Sequence, residues 1–234
     1  EVAVARKRLK GVRVALLAAE GFEDTELSKV RKRLRSRGAK VHIVSPGRGK
    51  LRGLHDLKKG RSVTVDRKLS KIKPGRYDAL VIPGGRVSPD TLRQNEEALD
   101  LVRAIDRAGK PIAALSGAAS VLISADRVKG RRLAAPPGQR DDIENAGGKW
   151  KDRALVVHRN WLSTSSAAEW RKVQKELPRH IRKTLKRNRS GRHVKELIAG
   201  GVASAAIAAA GYGISKANDE GLLPEVVAQH LKEI

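Results

Sequence analysis

The amino-acid sequence predicts an α/β fold in which helices cover both faces of a mostly parallel sheet. Apolar runs of strand length alternate along the chain with segments whose apolar residues recur at helical spacing. Strands that are apolar throughout are typical of parallel sheets, because such sheets are buried on both faces. The 234 residues are enough for one domain of about 150 to 200 residues and an additional segment.

The first 45 residues predict a βαβ unit. Residues 12–19 form an apolar strand, the segment 20–27 turns into a helix that reaches Arg37 and ends at Gly38, and residues 41–45 form the second strand. A right-handed crossover is the default for such a unit. The later predicted elements are a short strand at 63–65, a strand at 78–82, a helix over 89–108, a strand that begins at Pro111, a short helix at 141–145 and a strand at 154–157.

The strand that begins at Pro111 ends at the pair Ser116-Gly117 and passes into a helix of small residues. A strand, a sharp turn and a helix with serine at the tip are typical of a nucleophile elbow. The backbone amides that follow such a turn face any oxyanion formed there. An ordinary buried strand followed by a tight turn has the same pattern, since a single Ser-Gly pair is a weak signal.

The composition restricts the chemistry and suggests polyanionic partners. Lys and Arg number 50 against 25 acidic residues, and the formal net charge of +25 favours nucleic acid, an anionic membrane surface or an acidic protein as partner. The absence of cysteine excludes disulfides, zinc-thiolate sites and thiol catalysis. The basic segment 1–10 lacks an apolar core of signal-peptide length, so we expect a cytoplasmic protein.

Six short segments carry a resemblance to a known family. In chain order they are residues 20–27, 77–85, 109–114, 128–131, 142–147 and 160–165. In their order and spacing these segments resemble the ThiJ/PfpI family, flavodoxin-like relatives of the class I glutamine amidotransferases. The resemblance covers residues 11–166. It implies a flavodoxin-like domain over that range and a protein that forms dimers or larger homo-oligomers.

The resemblance also implies roles for individual residues. In the family a Cys-His pair follows the elbow strand, and a nearby glutamate stabilises the thiolate of the nucleophilic cysteine. Ser116 and Gly117 occupy the positions of that pair. Glu26 matches the glutamate, Gly85 and Gly117 match the sources of the oxyanion amides, and Asp90 matches an acidic residue that some members lend across a subunit interface.

Two functions follow from this comparison. Because both members of the Cys-His pair are replaced, the leading hypothesis is a binding or structural module that has lost the family's thiol-dependent protease, deglycase or glyoxalase chemistry. The alternative is a peptidase-like or esterase-like hydrolase that uses Ser116 as nucleophile and Glu26 as base, with the Gly85 and Gly117 amides holding the oxyanion. A small component of a large assembly is a third hypothesis. We expect no cofactor and no metal ion.

The histidines are predicted to lie outside the site, on the surface or in loops, and to take no part in catalysis. They are the residues at positions 42, 55, 158, 180, 193 and 230.

Residues 167–234 are predicted to form a helical extension. A capping-box pattern at 166–169 opens a helix with an apolar stripe at Val173, Leu177, Ile181 and Leu185, which Pro178 is expected to kink or split. Its cations are candidates for binding a polyanion such as nucleic acid or an acidic protein, although a solvated face on a docked helix is equally compatible. These candidates are Arg171, Lys172, Lys175, Arg179, Arg182, Lys183, Lys186, Arg187 and Arg189.

The end of the chain contains an uncharged segment and a last amphipathic helix. Residues 197–214 are 18 uncharged residues rich in Ala and Gly, which favours a tightly packed helix or an oligomer contact over the alternative of a membrane segment. A final helix that begins after 218–220 carries Leu222, Leu223, Val226, Val227 and Leu231.

Overall fold

The computed structural model of the protein describes residues 8–55 and 58–199, with side chains described up to residue 191. The chain divides into two compact units, of which the first ends at Thr184 and the second begins at Leu185. The sheet and the candidate site belong to the first unit. Residues 200–214 of the predicted uncharged segment 197–214, together with the predicted last helix, lie outside the described residues.

A parallel sheet forms the centre of the first unit. The strands are, in chain order, β1 (Arg13–Leu17), β2 (Lys40–Ser45), β3 (Lys50–His55), β4 (Lys58–Thr64), β5 (Arg67–Lys68), β6 (Ala79–Ile82), β7 (Ile112–Ala114), β8 (Arg132–Leu133), β9 (Lys149–Trp150), β10 (Leu155–His158) and β11 (Trp161–Thr164). Within the described residues, seven of them form one sheet in the order β10-β11-β7-β6-β1-β2-β5. Only the edge strand β10 is antiparallel to its neighbour.

The helices connect and flank these strands. They are α1 (Asp24–Ser36), α2 (Ser88–Arg93), α3 (Glu96–Arg107), α4 (Ala119–Ser124), α5 (Arg140–Asn145) and α6 (Trp170–Ala199). The connection from β1 leads outward to β2, and the connection from β6 leads outward in the opposite direction to β7. Right-handed crossovers in opposite directions place α1 and α3 on opposite faces of the sheet. The direction of winding reverses between β1 and β6, and in such sheets ligands bind outside the carboxyl ends of the strands at that point.

The central strands are buried on both faces. Val14, Ala15, Leu16 and Leu17 of β1 are each 0% exposed. Neighbouring side chains of a strand point to opposite faces, so helices must cover both sides of the sheet. The predicted fold class, a flavodoxin-like α/β sheet with a C-terminal helix, is confirmed.

Three elements differ from the sequence-based expectation. The helix predicted over 89–108 is two helices, α2 and α3. Asn95 interrupts it, because this residue has extended backbone and caps α3 by accepting a hydrogen bond from the Ala98 amide at 3.0 Å. The short strand at 63–65 is the end of an antiparallel hairpin formed by β3 and β4. The last predicted strand is the antiparallel edge strand β10, paired with β11.

Helix α6 continues through Pro178 without being split. Proline cannot donate to the carbonyl four residues earlier, which here belongs to Gln174. The Nε atom of Arg33 in α1 donates to that carbonyl at 2.7 Å instead. The predicted apolar stripe is buried at Val173, Leu177 and Ile181. A guanidinium from α1 thus replaces the missing backbone hydrogen bond, and the prediction that the helix splits is wrong.

One histidine differs from its predicted surface position. His180 of α6 is buried, and its Nε2 atom lies 3.0 Å from the backbone oxygen of Asn160. It is therefore a core residue, since α6 packs by this face against the loop before β11. Among the described residues, no helix is long and apolar enough to cross a membrane.

Candidate active site

Ser116 lies at the turn between β7 and α4, at the carboxyl end of the sheet. Its backbone φ of 48° is in the left-handed region, a conformation that costs a residue other than glycine about 1 to 3 kcal/mol when the surroundings hold it there. The Ser116 amide donates to the hydroxyl oxygen of Thr164 on β11 at 3.0 Å. This contact holds the turn in the shape of a nucleophile elbow, with the serine at its tip.

Glu26 lies directly beside this serine. It belongs to the first turn of α1 and is 5% exposed. Its Oε1 atom accepts a hydrogen bond from the Ser116 hydroxyl, and its Oε2 atom accepts one from the Gly84 amide at 2.6 Å. Burial raises the pKa of Glu26, the hydrogen bonds from Ser116 and Gly84 oppose this only in part, and the charge of Glu23 adds to the increase. The carboxylate of Glu26 is consequently a stronger base than an exposed glutamate.

The loop after β6 approaches the elbow so closely that it requires glycine. A Cβ atom on Gly84 would lie 2.8 Å from the Leu115 oxygen and 2.8 Å from the Cβ atom of Ser116. Gly85 has a φ of 115°, and a Cβ atom there would lie 2.7 Å from the backbone oxygen of Gly21. The structure therefore brings this loop into contact with the elbow backbone.

The two proposed sources of oxyanion amides are neighbours. A Cβ atom on Gly117 would lie 3.3 Å from the Gly85 oxygen. Neither amide is hydrogen-bonded to a partner within the described part of the chain. Ser116, Glu26, Gly85 and Gly117, which the sequence analysis singled out, thus lie together at one turn.

An open cavity of about 820 Å³ lies over the elbow and is lined by Ser116, Gly85 and Gly117. Asp90 of α2 lines it as well, is exposed, and accepts a hydrogen bond from the Gln94 side chain at 3.3 Å. Asp90 therefore belongs to the rim of the cavity and not to the hydrogen-bonded pair. Arg86 and Arg93 also line the cavity and give it cationic groups.

Sequence reasoning missed two residues that shape the elbow. Thr164 accepts the hydrogen bond from the Ser116 amide and lies within the family-like segment 160–165. The resemblance therefore included this residue but did not indicate its contact with the elbow. Gln139 donates from Nε2 to the Gly117 oxygen at 2.9 Å, while its buried Oε1 atom has no partner among the described residues. No motif marked Gln139, because it follows the loop Pro136-Pro137-Gly138, which the resemblance leaves unmatched.

The remaining predicted candidates do not belong to this cavity. Those in the first unit are exposed on α6, where Lys172 pairs with Glu169 at 3.0 Å and Arg179 with Glu176 at 3.6 Å. Lys186, Arg187 and Arg189 belong to the second unit. Across residues 8–55 and 58–199, no group of three His, Cys, Asp or Glu side chains is placed to hold a metal ion.

These features define a doubly wound α/β protein that has a strained turn and a buried glutamate at the carboxyl end of its sheet. The sequence model of the DJ-1/PfpI family matches residues 12–176. The chain belongs to this family.

Curated relatives extend over most of the first unit. The chain is 40% identical over 158 residues to Deglycase PH1704 of Pyrococcus horikoshii, a match that covers 68% of this chain and 92% of that protein. It is 40% identical to Deglycase PfpI of Pyrococcus furiosus, over 65% of this chain and 89% of the relative. It is 36% identical to Protein/nucleic acid deglycase 2 of Escherichia coli, over 65% and 87%.

Solved structures have the same fold. DJ-1beta of Drosophila melanogaster superposes with a TM-score of 0.67 at 20% identity, over 77% of this chain and 96% of that chain. A two-domain protein of Anabaena variabilis with DJ-1/ThiJ/PfpI-like and ferritin-like domains superposes with a TM-score of 0.67 at 27% identity. That match covers 71% of this chain and 47% of the Anabaena chain.

The leading sequence-based hypothesis is wrong. It took the loss of the Cys-His pair to mean that the chain is a binding or structural module without the family's chemistry. Relatives 36 to 40% identical are named deglycases, and this finding contradicts the hypothesis. The replacement itself is real, since the sequence contains no cysteine.

Proposed function

We propose that the chain is a hydrolytic enzyme of the deglycase type in which Ser116 is the nucleophile and Glu26 the general base. One observation carries the proposal. The Ser116 hydroxyl is hydrogen-bonded to the buried Glu26 carboxylate at a strained elbow in an open cavity. The relatives named deglycases support the reaction class. The substrate class is an amine that carries a carbonyl-derived adduct.

The geometry suggests how the first step proceeds. The Ser116 oxygen adds to the electrophilic carbon of the adduct, and its proton passes to Glu26 Oε1. Because burial raises the pKa of Glu26, this carboxylate is a better proton acceptor near neutral pH than an ordinary glutamate. The oxyanion that forms on the substrate accepts hydrogen bonds from the Gly85 and Gly117 amides.

The second step releases the amine and restores the enzyme. In a glyoxal adduct the nitrogen is on the carbon next to the aldehyde carbon that Ser116 attacks. As the carbon–nitrogen bond breaks, a hydride moves from the attacked carbon to the carbon that loses nitrogen, and the proton held by Glu26 passes to the leaving amine. The oxyanion then becomes the carbonyl of a 2-hydroxy-acid ester of Ser116. A water molecule, deprotonated by the same carboxylate, then cleaves the bond between the Ser116 oxygen and the substrate carbon. One residue serves as base and then as acid in each half of the cycle, so no histidine is required.

A serine in this position is expected to be slower than a thiol. A hydroxyl needs an adjacent base to become a nucleophile near neutral pH, whereas a cysteine is already partly ionised. Ser116→Cys would therefore place a stronger nucleophile against the same glutamate and amides. We expect this variant to turn over faster than the parent chain.

The experiment measures amine release from N-acetyllysine that has been reacted with glyoxal, using the full chain. Ser116→Ala should reduce turnover to background, and Glu26→Gln should reduce it by about 10²- to 10⁴-fold, the usual contribution of a general base. Ser36→Ala is the matched control, because the exposed Ser36 hydroxyl bonds only to the Arg33 carbonyl at the far end of α1. It should leave turnover unchanged.

A second readout protects the test against a poor choice of substrate. A fluorophosphonate probe should add one adduct to the parent chain, detected by intact mass, and none to Ser116→Ala. Unchanged turnover in Ser116→Ala, or the same adduct on a correctly folded Ser116→Ala, would overturn the proposal. Circular dichroism confirms that each variant is folded.

Three sequence-based predictions accompany this function and stay predictions. They are self-association, a cytoplasmic location and a domain boundary after residue 166. Asp90 at the cavity rim and the neighbouring Val87, which is 47% exposed, are available to a second copy of the chain. Sedimentation velocity tests the self-association, and a purely monomeric chain would refute it.

A further inference from the structure

A second concentration of charge lies away from the elbow, toward the amino ends of β1 and β2. It consists of two cavities, which together we call the basic edge. The first has a volume of about 330 Å³ and is lined by His42, Tyr77 and six cations, namely Arg13, Lys40, Arg67, Lys71, Lys73 and Arg76. Arg13 and Lys40 are the first residues of β1 and β2. This cavity is therefore separated from Ser116 by the length of the strands.

The cations of the first cavity are not ion-paired with any acidic side chain in the described part of the chain. Asp66 accepts from the Ile43 amide at 2.7 Å and pairs with Arg31 at 3.6 Å, and Asp78 accepts from the backbone amide of Arg13 at 2.8 Å. Like charges that converge on a concave surface without counterions produce a strong local field for anions.

The pKa of His42, which also lines this cavity, is lowered in part by the charges of the cations around it. His42 Nδ1 lies 2.9 Å from the Tyr77 hydroxyl. Burial lowers the pKa of His42, and the charge of Arg67 lowers it further, followed by those of Lys40 and Arg13 against the opposing Asp66. The histidine thus remains neutral beside the cations, and its titration reports on whether their charge is compensated.

The second cavity adjoins the first and is also basic. It has a volume of about 240 Å³ and is lined by Pro178 and by Arg8, Arg33, Arg37, Lys175, Arg179 and Arg182. Three of these six cations are on α6 and were among the polyanion candidates of the sequence analysis. The short turn from Arg37 to Lys40 joins the two cavities, and three residues span at most about 11 Å.

The size of the basic edge excludes a single small anion as its full complement. Twelve cations are distributed over two neighbouring cavities, so the matching ligand carries repeated negative charges. Eight of the twelve are arginines, whose planar guanidinium binds phosphate oxygens in pairs. A polymer of phosphates therefore fits this surface.

An acidic protein fits less well. Protein interfaces have an apolar, often aromatic core, but the exposed large apolar residues of the described chain are Val87 and Val157, and neither lines the basic edge. Tyr77 is buried and cannot stack on a base. Without base-stacking groups, contact is made through phosphates and carries no sequence information.

We propose that the basic edge binds the phosphodiester backbone of double-stranded nucleic acid without sequence preference. This inference is independent of the proposed function, because the basic edge and the elbow lie at opposite ends of the strands. The charge and concavity of the two cavities position the duplex, and the elbow cavity remains open. Binding and turnover can therefore fail or succeed separately.

The experiment measures affinity for a short DNA duplex of mixed sequence by fluorescence anisotropy over a series of KCl concentrations. Binding should weaken steeply with salt, with a slope of about 0.9 for each phosphate neutralised. The triple variant Arg67→Gln, Lys71→Gln and Arg76→Gln removes three exposed cations of the first cavity. It should reduce the slope by about 2.7 if each binds one phosphate.

A matched variant separates local contact from net charge. Arg48→Gln, Lys50→Gln and Lys59→Gln removes three exposed cations at and beside the β3–β4 hairpin, outside both cavities. It should leave the slope almost unchanged. Equal effects of the two triple variants would overturn the proposal, because they would show that only the overall charge matters.

Two further measurements identify the ligand class. Saturation with duplex should raise the pKa of His42, followed by NMR, since phosphates compensate Arg67, Lys40 and Arg13. An unchanged pKa would contradict binding in the first cavity. Poly-glutamate at the same charge concentration should compete weakly, and displacement of the duplex as effectively as by unlabelled DNA would assign the surface to acidic proteins instead.

Discussion

Asp106, at the C-terminal end of α3, is a buried carboxylate that four donors surround. Its Oδ1 atom accepts from Arg131 at 3.0 Å, from Asn160 at 3.0 Å and from Trp161 at 2.7 Å. Its Oδ2 atom accepts from Arg127 Nε at 2.8 Å. The carboxylate is 5% exposed and connects α3 to the strand that carries Thr164. We predict that Asp106→Asn strongly destabilises the fold.

The magnitude follows from these contacts. Asparagine has one acceptor oxygen, so in its best orientation it keeps the three Oδ1 contacts and turns its amide N–H toward the Arg127 donor. A lost hydrogen bond to a charged group costs about 1.5 to 3 kcal/mol. The largely buried Arg131 guanidinium also loses its counterion. Breaking a buried ion pair costs about 3 to 5 kcal/mol in total, or roughly 6 to 20 °C in melting temperature for a unit of this size.

Urea denaturation of the two proteins at neutral pH measures this loss. Asp100→Asn is the matched control, because Asp100 is on the same helix but exposed, paired only with Arg103; it should produce no measurable change. A variant Asp106→Asn as stable as the parent chain would refute the reasoning.

The pH dependence of the same comparison provides a second test. Burial alone would raise the pKa of Asp106, but the hydrogen bonds from Asn160, Arg127 and Trp161 and the charge of Arg131 lower it below its usual value. A lowered folded-state pKa stabilises the fold above the unfolded pKa of about 3.9, and this is lost as the pH falls through the folded value. The difference in unfolding free energy between parent and variant should therefore be largest at neutral pH and should begin to decrease below about pH 4. A difference that is constant across this range would contradict the assigned role of the charge.

Two other residues yield predictions of opposite sign. Burial raises the pKa of Glu26, so its contribution to stability is present below the unfolded pKa and lost as the pH rises. Glu26→Gln should accordingly melt higher than the parent at pH 7, by about 1.4 kcal/mol for each pKa unit, and a lower melting temperature there would contradict this. Arg33→Ala should cost about 1 to 3 kcal/mol by leaving the Gln174 carbonyl without its donor, but little in a Pro178→Ala background, where a backbone N–H is restored. A double-mutant cycle with additive effects would exclude the contact.

Much of the sheet was predictable because parallel strands have a strong sequence signal. The run that contains Val14 to Leu17 is apolar without interruption, as burial on both faces requires. The hairpin strand β3 lacked this signal, since Lys50, Arg52 and His55 are exposed on it. The break before α3 was missed because a helical apolar spacing continues on both sides of Asn95.

The residues that meet at the elbow were predictable from the sequence, but the hydrogen bonding and burial of Glu26 beside Ser116 were not. Strands that are parallel bring their carboxyl ends together, so Ser116, Glu26 and Gly85 could be expected to meet. Whether a serine there retains a usable base depends on the burial and hydrogen bonds of Glu26, which no spacing reveals. The same limit applies to the basic edge, whose residues from Arg8 to Arg182 converge only in the folded chain.

The hydroxyl at the elbow also changes how the protein responds to oxidants. A thiolate in such a site is converted stepwise by peroxide to sulfenic, sulfinic and sulfonic acids, and methionine to its sulfoxide. The 234 residues contain neither cysteine nor methionine, so no sulfur chemistry of this kind is available to them. Alkylating reagents and peroxide that would modify a cysteine in such a turn therefore leave the hydroxyl at position 116 unchanged, in reducing and in oxidising surroundings alike.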